Sequence, residues 1–291
     1  MRPSSSFSPA GAVSEGSTRR SPSRERVGGT SVLRQRVASA LVFGPLLLVV
    51  VVAGGPWLAF TVLIAVTLGL REYARMARLG REEPVRPVLY PAATLLVAHA
   101  WLGFPPPELV LLLTLVAAFL YLLATGRSVR VTSACLTVFG LIYLPLFFGF
   151  ILRTRALPDG LVLALYTLIG TWSFDSVAYF AGLRWGRRRL CPAVSPGKSW
   201  EGALAGAAAS LLAAGLANRW LGWSPLAWVL LGLLTAIAAQ TGDLLESSFK
   251  RFAGLKDAGN LIPGHGGFLD RFDSMLLVAP VVYFLAVWFG G

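Results

Sequence analysis

The fold class this sequence predicts is an all-α polytopic membrane protein, and three observations predict it. Hydrophobic residues make up 55% of the 291 residues and charged residues only 14%, whereas a soluble domain carries about 25% charged residues. Much of the surface must therefore face something other than water. The apolar residues also fall into nine runs, near 37–54, 56–70, 87–104, 108–125, 133–152, 160–181, 202–221, 225–242 and 273–290. A membrane helix needs about 20 such residues to cross roughly 30 Å of hydrocarbon. Finally, the basic residues alternate between loops. With the N-terminus in the cytoplasm, all 26 Lys and Arg except Arg153, Arg155 and Arg219 fall on the inside, as the positive-inside rule requires. About nine transmembrane helices with a cytoplasmic N-terminus are expected.

Taken in order, residues 1–30 are rich in Ser, Pro, Gly and Arg. They hold too little apolar surface to offset the entropy of ordering. A disordered basic tail is expected over 1–32, followed by one membrane domain over 33–291. Arg19-Arg20 hints at a twin-arginine export signal, but no small-residue cleavage site follows the first apolar run, which reads as a retained span. The second run is short. A continuation through Arg71-Glu72-Tyr73 gives it full length. The third carries His99 and the fifth Cys135, both expected to be packed within their spans. The sixth ends near Asp175, the eighth near Asp243 and Glu246, and the ninth begins at Asp273.

A net charge of +12 suggests nucleic acid. The basic residues are dispersed among inter-span loops, however, and nucleic acid is not an expected partner. Cys135 and Cys191 form neither a metal-type spacing nor a disulfide framework. No internal repeat is visible.

Carboxylates beside lipid are costly and are functional candidates by default. Asp175, Asp243 and Glu246 all lie toward the cytoplasmic ends of their spans, and Glu72 ends the second span on that side. For Glu72 both helix capping and site chemistry stay open. Asp243, Glu246 and Lys250 share one helical face by their spacing of three and four.

The segment TGDLLESSFKRFAGLKDAGNLIPGHGGFLDRFDS combines Lys250, Arg251, Lys256 and Arg271 with Asp243, Asp257, Asp270 and Asp273, and adds Gly264, His265, Gly266 and Gly267. Each type has a use in phosphate chemistry. Glycines let main-chain N–H groups approach an anion. Lysine and arginine bind phosphate as a point charge and a bidentate fork. Carboxylates hold Mg²⁺ through oxygen. A solvated, salt-bridged loop explains the charges but not the clustered glycines. The loop after the sixth span carries Arg187–Arg189 and Ser195-Pro196-Gly197-Lys198-Ser199. It lacks P-loop spacing, but Lys198 can still reach a phosphate. The arginine run reads first as a topology signal or an anionic-lipid contact.

These residues resemble the phosphatidate cytidylyltransferase (CDP-diacylglycerol synthase) family. Ser247, Phe249, Lys250, Arg251, Lys256, Asp257, Gly259, Ile262, Pro263, His265, Gly266, Gly267, Phe268, Asp270, Arg271, Phe272 and Asp273 occupy every defined position of that family's C-terminal pattern. Asp175, Ala178-Tyr179, Gly182, Gly186 and Ser195–Lys198 are similar to a second, looser motif. Val177, Arg187 and Ser199 depart mildly from it. The clear resemblance covers about residues 170–275.

The resemblance implies a nucleotidyltransferase of phospholipid biosynthesis that converts CTP and phosphatidic acid to CDP-diacylglycerol and pyrophosphate with Mg²⁺. It implies Asp243, Asp270, Asp273, Lys250, Arg251 and His265 as catalytic residues. Lys198, Ser195, Lys256, Arg271, Gly266, Gly267 and Asp175 are implied at the substrates, with Asp243, Asp270 and Glu246 as metal ligands. The expected partners are CTP, phosphatidic acid, the lipid bilayer and a second copy in a homodimer. The expected location is the cytoplasmic membrane, with the site on its cytoplasmic side. A transporter predicts inverted repeats and acids near the midplane, and neither is seen. An enzyme with the same nucleotide chemistry and another lipid acceptor stays open.

Overall fold

The computed structural model describes residues 43–126, 131–255 and 267–290. The expected tail at 1–32, together with Lys256, Asp257, His265 and Gly266, lies outside the described residues. Helices α1 (Phe43–Ala53), α2 (Gly55–Leu79), α3 (Arg86–Leu102) and α4 (Pro107–Ala124) come first. Then α5 (Val131–Leu141) runs through a π-turn (Ile142–Leu146) into α6 (Phe147–Arg155). After α7 (Gly160–Trp185), two strands, β1 (Arg189–Cys191) and β2 (Ser195–Ser199), precede α8 (Trp200–Leu221) and α9 (Pro225–Phe252). A 3-10 turn (Leu269–Arg271) leads into α10 (Asp273–Phe289).

Each of the nine apolar runs carries a helix. Among the described residues, six stretches are long and apolar enough to cross a membrane: α2, α4, the continuous α5–α6, α7, α8 and α9. The others are shorter, with α1 and α10 apolar helices of less than full length and α3 a helix of 17 residues. The second run does continue through Arg71-Glu72-Tyr73, to Leu79.

Local chemistry sets the helix ends. Proline stands in the first turn of α2, α3, α4 and α9, where its missing N–H costs nothing and its φ is already helical. Ser199 and Ser224 cap α8 and α9 by accepting from the N–H groups of Gly202 and Ala227. Asn218 closes the α8–α9 turn, accepting from the Trp223 N–H at 2.8 Å and donating to the Trp223 carbonyl.

Two apolar cores meet along α7 and α10. One is built by α1, α2, α3, α5 and α6 around Leu70, Tyr73, Leu89, Leu144 and Leu168. The other is built by α7, α8, α9 and α10 around Tyr166, Ala214, Leu231, Ala239 and Val282. Outward faces remain apolar, including Leu112, Leu120 and Leu123 of α4 and Leu204, Leu212 and Trp220 of α8. In water such a surface would be an association hazard. Against hydrocarbon it is the expected exterior, because a helix pairs most of its main-chain polar groups internally.

The all-α reading holds for the bundle, to which one small antiparallel β1–β2 hairpin is added, with Arg189 facing Ser199 and Cys191 facing Ser195. Two local expectations need correction. Cys191 lies on a strand rather than in an irregular loop. The strands are three and five residues long, too short to show a period-2 pattern, and tertiary contacts hold them. Glu201, one residue into α8, accepts from the N–H groups of Arg187 and Arg188. Cys135 is exposed on the outer side of α5 rather than packed. That helix buries Ser133, Ala134, Thr137, Gly140 and Leu141, and Cys135 falls off their face.

Candidate active site

Residues far apart in sequence converge at one end of the bundle. The late turns of α2, α7 and α9, the start of α10, the 3-10 turn and the β hairpin all meet there. These late turns belong to helices that all run the same way, so their last residues share one end.

Close main-chain approach makes the convergence possible. A Cβ added to Gly242 on α9 would collide with the main-chain carbonyl oxygen of Asp273 and lie 3.1 Å from Ser274 Cα. Only glycine there lets the start of α10 lie against the last turns of α9. Where α7 crosses α8, a Cβ on Gly202 would come within 2.6 Å of the Ala178 carbonyl oxygen and 3.3 Å of Gly182 Cα. Small residues at a helix crossing in lipid allow such backbone contact. The crossing brings the hairpin, with Lys198, over the end of α9.

Charged groups interlock at this end. Lys198 of β2 forms an ion pair with Asp243 Oδ2, and the Ser247 hydroxyl donates to Asp243 Oδ1 at 3.3 Å. Lys250 pairs with Glu246 one turn earlier and donates to Asp270 Oδ1 at 2.7 Å. The other oxygen of Asp270 accepts from the Gly267 N–H at 2.7 Å. The Ser274 hydroxyl donates to Asp175 Oδ1 at 3.1 Å. Asp273 accepts from the Ser274 N–H at 2.6 Å and lies within electrostatic range of Asp243, Glu246 and Asp175.

Five carboxyl groups (Asp175, Asp243, Glu246, Asp270 and Asp273) therefore face two ammonium groups, Lys198 and Lys250. The Glu246 side chain is 0% exposed, and its Oε1 has no hydrogen-bond partner among the described residues. Lys250 and Asp270 are 13% and 12% exposed. Burial of this kind is tolerable only where opposite charges are paired. The shared face expected for Asp243, Glu246 and Lys250 is the face that lines the cluster.

Not every expected site residue joins it. Arg251 is exposed and donates to the carbonyl of Val194 at 3.1 Å and that of Leu255, so it ties the end of α9 to the turn of the hairpin. Ser195 stands in β2 opposite Cys191. Arg271 is exposed at the end of the 3-10 turn. Ser199, the last residue of the segment that superficially echoes a P-loop, is 3% exposed and caps α8.

Glu72 resolves to the structural side of its two readings. It is 2% exposed and accepts from the N–H groups of Phe268 and Leu269 at 2.9 and 2.8 Å. It thereby anchors the start of the 3-10 turn that carries Asp270. The sequence signal was a carboxylate at an apolar run's end, which did not name its partners. Sequence reasoning missed Glu201 as the hairpin's anchor and Tyr143, a buried tyrosine on the π-turn.

The donor set suits a hard cation. It is entirely oxygen, the ligand type that Mg²⁺ prefers, and carboxyl groups outnumber ammonium groups. Among the described residues no three His, Cys, Asp or Glu side chains are arranged to hold a metal ion by themselves. The lysines take up much of the carboxylates' acceptor capacity.

Comparison with known proteins gives one consistent result. A family model described as Cytidylyltransferase family matches residues 34–289. A phosphatidate cytidylyltransferase of Pseudomonas aeruginosa is 40% identical over 273 residues, covering 89% of this chain and 98% of that protein. One from Synechocystis is 32% identical over 282 residues, covering 87% and 96%. One from Bacillus subtilis is 41% identical over 152 residues, covering 51% and 56%.

Proposed function

The chain belongs to the cytidylyltransferase family, and on that premise we propose that it is a phosphatidate cytidylyltransferase. It moves CMP from CTP to phosphatidic acid, giving CDP-diacylglycerol and pyrophosphate. The observation that carries this reading is the buried lysine–carboxylate cluster, in which Lys198 from the β hairpin and Lys250 from the end of α9 reach Asp243, Glu246 and Asp270.

In the reaction a phosphate oxygen of phosphatidate attacks the α-phosphorus of CTP. A new P–O–P bond forms, the bond from that phosphorus to the β-phosphate's bridging oxygen breaks, and the electron pair leaves with pyrophosphate. A phosphomonoester is already ionised near neutral pH, so no side chain is required as a general base. Both partners are anionic, and catalysis is mostly positioning and charge neutralisation. Lys198 and Lys250 exchange carboxylate partners for substrate phosphate, because an ammonium group is a mobile point charge on a flexible stem. Arg251 and Arg271 supply further phosphate contacts, with Ser195 and Gly267, and Lys256, His265 and Gly266, which lie outside the described residues, are assigned to the same substrates by residue type. Asp175 and Asp273 hold the cluster's geometry through Ser274. Asp243 and Asp270 are the ligands assigned to Mg²⁺, with Glu246 behind them. When bound, the ion neutralises the triphosphate and stabilises the departing pyrophosphate.

The remaining assignments follow from charge and hydropathy. Nine spans with a cytoplasmic N-terminus put the cluster on the cytoplasmic side of the cytoplasmic membrane, where CTP is dissolved. Phosphatidate reaches it laterally from the bilayer. A basic tail over 1–32 precedes the membrane domain.

The test is the protein purified in detergent with Mg²⁺, CTP and phosphatidate. Formation of CDP-diacylglycerol with stoichiometric pyrophosphate supports the reading. Absence of the lipid product with Mg²⁺ present overturns it, and turnover only with a different lipid phosphate reassigns the acceptor.

A further inference from the structure

Three tyrosines are deeply buried in the two cores, and their hydroxyls have different fates. Tyr73 donates to the Leu136 carbonyl at 2.8 Å. Tyr166 is bonded to Thr235 at 3.1 Å and to the Leu231 carbonyl. Tyr143 is 1% exposed, and its hydroxyl has no hydrogen-bond partner among the described residues. Buried polar groups are nearly always partnered, and an exception demands an explanation.

The position of Tyr143 supplies one. It stands on the π-turn Ile142–Leu146, which also contains Pro145. Proline has no N–H for the helical ladder and its ring crowds the preceding turn, and the wider π-turn accommodates it. Such turns concentrate at functional sites. The Tyr143 ring is stacked against Phe139, with centroids 5.6 Å apart and planes 25° from parallel, so the ring is held in place. Asp273, Glu246 and Asp243 lie within electrostatic range of it. These are carboxylates of the cluster described above, yet the hydroxyl bonds to none of them. An immobilised donor within electrostatic range of the cluster, with no hydrogen-bond partner among the described residues, suits an anionic oxygen that enters with the substrates.

We propose that Tyr143 is a further substrate-contacting residue, whose hydroxyl donates to a phosphate oxygen held at the carboxylate cluster. This rests on the reading that CTP and phosphatidate react there. Both substrates carry phosphate, and kinetics distinguishes them.

The experiment is Tyr143→Phe in the full chain, which removes one oxygen and keeps the ring. The expected result is a thermal midpoint equal to or above the parent's, with kcat/KM lower by about 10²-fold, the scale for losing one well-placed donor. A raised KM for CTP, with loss of the thermal shift that CTP alone produces, assigns the contact to a nucleotide phosphate. A raised KM for phosphatidate with the CTP shift intact assigns it to the lipid phosphate. A lower kcat with both KM values held assigns it to an oxygen that gains charge in the transition state. Unchanged kinetics overturns the proposal, whatever the midpoint does. Failure to fold also overturns it, because it means that the hydroxyl has a protein partner. Asp243→Asn run in parallel separates the two readings. If it keeps parent activity, the cluster itself is misassigned; if it is inactive while Tyr143→Phe is normal, only the role of Tyr143 falls.

Discussion

The two halves of the bundle are packed by different means. Helices α2, α3, α5 and α6 meet through large side chains, with Leu70, Tyr73, Met76, Leu89 and Leu144 fully buried between them. Helices α7, α8, α9 and α10 meet through Gly202, Gly206, Gly232 and Gly242, where backbones approach closely. The first kind of packing tolerates small shifts, because side chains can adopt neighbouring rotamers. The second does not, because main-chain atoms have nowhere to go. The lysine–carboxylate cluster is built almost wholly on the second half. A site that must hold several charges in register is carried by the part of the molecule with the least freedom. The first half contributes supports: Glu72 holding the 3-10 turn and Tyr143 on its π-turn.

That contrast can be broken in several places. The largest expected effect is from Lys250→Met, which leaves Glu246 and Asp270 buried without their cation. Removing one partner of such a group costs about 3–5 kcal/mol, so both the thermal midpoint and turnover should collapse together. Asp243→Asn should instead leave a folded protein, since the residue is only half-buried. Its turnover should fall by about 10²–10³-fold, the scale for losing a preorganised electrostatic group. Gly242→Ala sharpens the comparison further, because no charged group is touched. The added Cβ must part α9 from α10 at Asp273, and CDP-diacylglycerol formation should drop well below the parent's.

In the other half, Leu89→Ala opens a cavity in the large-residue core. It should lower stability by about 2–5 kcal/mol while turnover per folded molecule, measured below the midpoint, stays at the parent's value. Loss of turnover there would show that the halves are not separable. The smallest effect is expected from Tyr166→Phe. It removes the bonds to Thr235 and Leu231, and inter-helix hydrogen bonds in lipid average only about 0.6 kcal/mol, so a small fall in midpoint with unchanged kinetics is expected.

Several features of the site were legible from residue types alone. Asp175, Asp243, Glu246 and Asp273 stood out because carboxylates rarely border apolar runs, and helical spacing put Glu246 and Lys250 on one face. Lys198 was singled out by its loop and does meet Asp243. Other features had no such mark. Glu72 looked equally like a cap or a site residue, because its partners lie almost 200 positions away in the chain. Tyr143 looked like one more aromatic in a span, and only the proline two residues later hinted at an irregular turn. The β hairpin was invisible to periodicity, and Cys135 was misjudged because a single residue does not reveal which side of a helix meets lipid.

Hydropathy and charge patterns act locally, and lipid enforces them strictly, since an unpaired backbone or an unplaced charge in hydrocarbon is expensive. Helix positions and the polar residues that break the apolar pattern could therefore be read along the chain. Which lysine meets which carboxylate, which glycine lets α10 rest on α9, and which buried tyrosine hydroxyl has no partner among the described residues depend on contacts between residues tens to hundreds of positions apart. Those contacts exist only once the helices are packed.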